Sequence, residues 1–225
     1  MESLIYSSIF SSIQGEGLFS GKYSLFIRLA GCNLNCAFCD TKYAVDIKYF
    51  RDWKKESIEI IEEKISRLVK NKIKNLVITG GEPLIQSKPL KILIGNIKNY
   101  FNTIEIETNG TISGKTFFED SVYFNVSVKL SNSMEREEKR IVPNIIKEFN
   151  NYEKTIFKFV VKDKNDIDEV MELKKRFKIS NDRIYLMPMA KTSTELEERG
   201  KNILNLAIEN GFNFSDRLQL RYNIQ

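Results

Sequence analysis

The chain of 225 residues contains no histidine. That absence excludes Ser/His and Cys/His nucleophilic pairs, imidazole-ligated zinc and imidazole proton shuttles. Cysteine occurs three times, an odd number, so no disulfide framework is expected. There are four prolines and no Pro/Ser-rich linker, so residues 1–225 are read as a single domain. No apolar run approaches the roughly 18 residues needed to cross a bilayer. The N-terminus, MESLIYSSIFSSIQGEG, lacks a basic start followed by an apolar stretch, so no secretion signal is read there. The expected location is the cytoplasm, where thiols stay reduced and free to bind metal. Thirty-five basic against thirty acidic residues is a mild, scattered excess. It permits an anionic ligand but does not argue for nucleic acid or a membrane surface.

What is present is strand–helix alternation. Short β-rich runs cover 24–29, 75–79, 103–107, 122–128, 155–161, 183–187 and 217–222. Several are nearly continuous in Val, Ile, Leu, Phe and Tyr, as in parallel strands covered on both faces. Between them, 57–70, 88–100, 165–177 and 194–210 carry apolar residues at helical spacing, for example Ile58, Ile61, Ile65 and Leu68. Alternation of this kind implies an α/β fold with a parallel sheet and right-handed crossovers. An incomplete barrel and an open doubly wound sheet both fit. In either case ligands bind where strands end and loops begin. The unusual residues collect at those ends: Gly31 to Cys36, Thr79 to Pro83, Glu107 to Gly110, Ser127 to Lys129 and Met187 to Met189.

All three cysteines fall in one window, Cys32-x-x-x-Cys36-x-x-Cys39. Gly31, Asn33, Asn35, Asp40 and Thr41 give that window the composition of a loop, not of a core strand. Three thiolates on a loop suit a soft metal. Structural zinc wants four protein ligands, and the chain offers no fourth Cys and no His, although an Asp could serve. An iron–sulfur cube normally takes four thiolates. Three leave one iron open to a small molecule.

This spacing, with Phe38 before the last cysteine, resembles the radical S-adenosylmethionine (SAM) superfamily. Gly80-Gly81-Glu82-Pro83 stands where that superfamily binds the methionine amino group. The resemblance implies an incomplete TIM-like barrel of about six parallel strands with flanking helices. It also implies a [4Fe–4S] cluster on Cys32, Cys36 and Cys39, and SAM chelated at the open iron, whose reductive cleavage yields a 5′-deoxyadenosyl radical. Within the superfamily, Ser12 to Gly17, Phe26 to Leu29, Gly31 to Leu34 and Cys39-Asp40-Thr41 resemble the 7-carboxy-7-deazaguanine synthase family. That likeness implies a carbon–nitrogen lyase of 7-deazapurine (queuosine) biosynthesis. It contracts 6-carboxy-5,6,7,8-tetrahydropterin to 7-carboxy-7-deazaguanine and releases ammonia.

The same likeness implies roles for residues. Phe38, Cys39, Asp40, Gly80, Gly81, Glu82, Ser127, Val128, Lys129, Met187, Pro188, Met189 and Ala190 would contact the cofactor. Ile13, Gln14, Gly15, Glu16, Arg28, Thr79 and Gln225 would contact the substrate, with Arg28 on its carboxylate. Thr41 would be a magnesium ligand. No catalytic side chain is assigned beyond cluster and cofactor. Glu107 and Asn109 are candidates for the site wall. A flavodoxin- or ferredoxin-like electron donor and a homodimer are implied as well. The C-terminus departs from the family: Arg217-Leu218-Gln219-Leu220 is present, but Asn223 stands at the position of a family histidine. Other readings stay open. One is a radical SAM enzyme acting on another heterocycle or activating a partner enzyme. Another is a zinc-binding structural module.

Overall fold

Period-two alternation inside the apolar strands decides the architecture. The computed structural model describes residues 2–69 and 72–224. Its strands are β1 (Ser3–Ile13), β2 (Tyr23–Leu29), β3 (Lys54–Ser57), β4 (Asn75–Gly80), β5 (Thr103–Thr108), β6 (Val122–Val126), β7 (Thr155–Val161), β8 (Ile184–Pro188) and β9 (Asn213–Phe214). The helices are α1 (Lys42–Val45), α2 (Ile58–Val69), α3 (Ser87–Ile97), α4 (Glu137–Arg140), α5 (Pro143–Asn150), α6 (Lys164–Phe177), α7 (Ser193–Asn210) and α8 (Leu218–Arg221).

One sheet runs in the order β3-β1-β2-β4-β5-β6-β7-β8-β9. β1 pairs antiparallel with β2 and β3, and every pair from β2 to β9 is parallel. From β2 onward the order never reverses, so there is no switch point of the doubly wound kind. Right-handed crossovers that always step the same way put their helices on one face. The apolar half of each strand meets them there: Leu25, Ile27, Leu76, Ile78, Ile104, Ile106, Phe124, Phe157, Phe159 and Leu186 share one core with Ile61, Ile65, Leu90, Leu93 and Ile203. The barrel is open, since among the described residues β3 pairs only with β1 and β9 only with β8. The incomplete barrel is therefore the observed architecture, with a two-residue seventh parallel strand beyond the six expected.

Differences from the sequence reading have local causes. Residues 217–222, expected as a strand from their alternation, contain the helical turn α8. Leu218 N–H donates to Gly15 O at 3.1 Å, and the side chains of Arg217 and Gln219 both bond Glu16, so tertiary contacts override the alternation. β1 was not anticipated because five of its eleven residues are serine. β3 was hidden by its charged sequence KKES, and α5 by its eight-residue length.

The glycine pair also packs the chain against itself. Gly80 has φ +133°, and a Cβ there would lie 2.0 Å from Leu29 O. A Cβ on Gly81 would lie 1.9 Å from Gly31 O. Gly81 N–H donates to Leu29 O at 3.1 Å, and Glu82 N–H to Gly31 O at 2.8 Å. The glycines let the chain press on its own backbone, where the cysteine loop leaves β2.

This contact predicts opposite outcomes for two glycine substitutions. Gly81→Ala should lower unfolding free energy by about 1–3 kcal/mol, because neither backbone can yield. Gly95→Ala, on an exposed turn of α3 with no neighbour within 4 Å, should raise it by about 0.5–1 kcal/mol. Urea unfolding checks both, and a neutral Gly81→Ala would contradict the contact.

Candidate active site

The C-terminal ends of the parallel strands surround a cavity of about 460 Å³. The loops after β2, β4, β5, β6 and β8 all reach it, as parallel topology requires. Cys32, Cys36 and Cys39 line it as free thiols, with Cys36 buried. Leu34 N–H points at Cys32 Sγ from 3.4 Å and the Asn109 amide nitrogen from 3.9 Å. Burial pushes the Cys32 thiol up to about 11 and raises Cys36 as well. A coordinated metal reverses that preference, because a ligating thiol is deprotonated. Among the described residues, no three Cys, Asp or Glu groups converge as a single metal ion requires. A cube makes no such demand, since each thiolate takes a different iron. The donor set of three soft ligands with N–H donors aimed at sulfur fits a [4Fe–4S] cluster.

Beside the cysteines, Phe38, Asp40, Gly80, Gly81, Ser127, Lys129, Met187, Met189 and Ala190 line the same wall. Lys129 Nζ donates to Ser127 Oγ at 2.7 Å. Three residues expected to contact the cofactor do not reach the wall. Glu82 is fully buried behind it, and its carboxylate accepts from Leu84 N–H at 3.0 Å, Thr108 Oγ1 at 2.8 Å and Asn109 N–H at 2.7 Å. It braces the loops after β4 and β5. Val128 packs into the hydrophobic core, and Pro188 is buried as the last residue of β8.

The rest of the cavity wall comes from the end of β1, the turn that follows it, β2 and β4. Ile13, Gln14, Gly15, Glu16, Arg28 and Thr79 line it, and Gln225 lies outside the described residues. Arg28 pairs in register with Thr79 on β4. Its guanidinium lies between the rings of Phe10 and Tyr43, 5.7 and 5.9 Å from their centroids, and its buried Nε has no hydrogen-bond partner. Gln14 Nε2 donates to Glu105 at 2.6 Å and to Glu107 at 3.2 Å, while its carbonyl accepts from Glu16 N–H at 3.3 Å. Thr79 Oγ1 donates to Glu107 at 2.7 Å. Glu107 and Asn109 both reach the cavity. Thr41 lines it too. It occupies the N-cap position of α1 without capping the helix, and its hydroxyl lies 3.8 Å from Cys39 Sγ.

The Glu16 carboxylate is already engaged. Lys158 Nζ lies 2.5 Å from one oxygen, and Arg217 Nε and Gln219 Nε2 reach the other at 3.1 and 2.5 Å. Burial pushes this carboxyl upward, but Lys158 and Arg217 outweigh it and hold it well below the usual carboxylate range. Burial opposes the Lys158 charge, yet Glu16 and Glu107 raise its pKa overall. Glu105, buried beneath Gln14 and close to Glu107, is pushed up to about 8. Lys158, Arg217, Gln219 and Glu105 were not anticipated as site residues. A signal existed for two of them: Lys158 in TIFKFVV and Glu105 in TIEIET are charges in otherwise apolar strands. They fall on the parity that faces away from the helices.

The sequence matches the Radical SAM superfamily over residues 26–189. It is 36% identical over 217 residues to the 7-carboxy-7-deazaguanine synthase of Hyperthermus butylicus, covering 94% of this chain and 89% of that one. It is 39% identical over 190 residues to the enzyme of that name from Clostridium acetobutylicum, covering 80% and 79%. The crystal structure of QueE from Escherichia coli superposes with a TM-score of 0.72 at 27% identity, over 95% of this chain and 93% of that one. Streptococcus suis SuiB, at 16% identity and a TM-score of 0.59, shares the fold. With the open barrel and three cysteines at its rim, these likenesses place the chain in the 7-carboxy-7-deazaguanine synthase family of radical SAM enzymes.

Proposed function

We propose that the cavity converts 6-carboxy-5,6,7,8-tetrahydropterin to 7-carboxy-7-deazaguanine with release of ammonia. The observation that carries this reading is Arg28. It is a guanidinium on the wall of the cavity that the cysteines also line, with a buried, unpartnered Nε and two aromatic ring centroids 5.7 and 5.9 Å away. A planar carboxylate-bearing heterocycle suits it, since the fork takes the carboxylate and the rings flank the plane. Family membership implies the cluster and SAM, which when bound supply a carbon radical for hydrogen abstraction.

The chain's own residues bind, orient and exclude water. Across the sheet from Arg28, beyond Thr79, the polar groups include acceptors: the Glu107 carboxylate and the Gln14 carbonyl. They suit the N–H-rich edge of an aminopyrimidinone. Gln14 keeps that orientation because its amide nitrogen is held by Glu105 and Glu107 together. The Glu16 carboxylate is consumed by Lys158, Arg217 and Gln219, so its contribution to the ring edge falls to backbone. Thr41 would hold magnesium through its hydroxyl, with substrate oxygens and water completing the shell. Lys129 would meet the cofactor's carboxylate, and Met187, Met189 and Val160 would bury its base; all four line the cavity. A flavodoxin- or ferredoxin-like electron donor and a homodimer complete the proposal.

Anaerobic protein carrying the cluster, with SAM, magnesium, reductant and the pterin, should form the deazapurine and ammonia. Formation of 5′-deoxyadenosine without deazapurine would overturn the substrate. Arg28→Ala should raise KM for the pterin about 10- to 100-fold, the worth of a charge-assisted hydrogen bond. Arg28→Lys should recover only part of that loss, because it keeps the charge without the fork.

Glu105 has a pH signature. It holds its proton in the fold up to about pH 8, against an ordinary value of 4.5. Between those values the unfolded chain has released a proton that the fold retains. Stability from this group is therefore complete below about 4.5, declines as pH rises, and is lost above about 8. Urea unfolding from pH 5 to 8.5 should show a falling slope that Glu105→Gln flattens. An unchanged slope in the variant would contradict the assignment.

A further inference from the structure

Arg217 immediately precedes α8 and is 4% exposed. Each nitrogen of its guanidinium has a partner on a different segment. Nε donates to Glu16 at 3.1 Å, one terminal nitrogen to the Asp40 carboxylate, and the other to the Ala190 carbonyl. Glu16 belongs to the turn on the substrate wall. Asp40 follows the last cysteine, and Ala190 lies at the exit of β8, so both belong to the cofactor wall. α8 is tied to the substrate turn twice more, by Leu218 N–H on Gly15 O at 3.1 Å and by Gln219 on Glu16 at 2.5 Å. Among the described residues, Arg217 is the cation that forms ion pairs with carboxylates of both walls.

We propose that Arg217 is a positioning residue that makes occupation of the substrate wall and occupation of the cofactor wall mutually reinforcing. The proposal rests on the assignment of the two walls made above. A ligand seated on Gln14, Gly15 and Glu16 fixes the Glu16 carboxylate, and with it the guanidinium. A fixed guanidinium holds Asp40 and the Ala190 carbonyl in place. Neither partner can swing away alone, because a buried guanidinium left short of an acceptor is costly. The ligand that binds first fixes one of the partners of Arg217, and through the shared guanidinium the wall that the second ligand meets. Three partners in three directions need a planar fork, which a lysine cannot supply.

Coupling of this kind is reciprocal and typically at least 5-fold. The test is equilibrium dialysis on the cluster-loaded protein under anaerobic conditions without reductant, so that nothing turns over. The dissociation constant for SAM is measured with and without saturating 6-carboxy-5,6,7,8-tetrahydropterin, and that of the pterin with and without SAM. In the wild type each ligand should tighten the other by the same factor, about 5-fold or more. Arg217→Gln, with unchanged far-UV circular dichroism and iron content, should bring that factor to within about 2-fold of unity. A purely structural role would weaken both ligands and leave the factor intact. If Arg217→Gln does not fold, Asp40→Ala at the exposed arm should lower the factor instead. A wild-type factor of one, or a folded variant that keeps the wild-type factor, overturns the proposal. A wild type that binds SAM but no pterin overturns the substrate reading, and the coupling with it.

Discussion

The backbone contact of Gly80 and Gly81 with Leu29 and Gly31 is the constraint on which the site depends. It fixes where the cysteine loop leaves β2 relative to the end of β4. Glu82 extends the same contact sideways, through Thr108 and the Asn109 backbone, to the end of β5. Asn109 in turn points its amide at Cys32 and donates to Asn33 at 2.9 Å. Three successive strand ends are thereby locked together around the first cysteine. A flexible loop with the same three thiols could not hold a reactive cofactor at one distance from a substrate.

The inner face of the barrel imposes the second constraint. Glu16, Glu105, Glu107, Asn125 and Lys158 share one apolar-walled interior, where an unpaired charge is expensive. The cost is met in two ways. Glu16 is neutralised by Lys158 and Arg217, and Glu105 keeps its proton. Facing the cavity are the Glu107 carboxylate, which has no ion pair but accepts from Gln14 and Thr79, the Gln14 carbonyl, which accepts from Glu16 N–H, and the Arg28 guanidinium with its unpartnered Nε.

Much of this was legible in the sequence. The cysteine spacing, the Gly-Gly-Glu-Pro segment and the polar residues at strand ends pointed to one rim, and the parallel topology brings them there. The side chains of Glu82, Val128 and Pro188 lie off the cavity, because proximity in sequence to a wall residue says nothing of side-chain direction. Successive residues at a strand end point to opposite faces. Lys158 and Glu105 were overlooked because their strands were read as uniformly apolar, when two-residue parity separates a helix-facing half from a cavity-facing half. Arg217 and Gln219 were hidden differently. Their alternation with leucines mimics a strand, and the carboxylate that draws them into the site lies some two hundred residues away in the chain.

The central claim is that three thiolates hold a four-iron cube whose remaining iron accepts SAM. Electron paramagnetic resonance of the anaerobically reconstituted, reduced protein tests it most directly. The account predicts a [4Fe–4S]⁺ signal that changes on addition of SAM and fails to form in a Cys36→Ala variant. A signal indifferent to SAM, or a colourless protein that carries zinc and no labile sulfide, would contradict it.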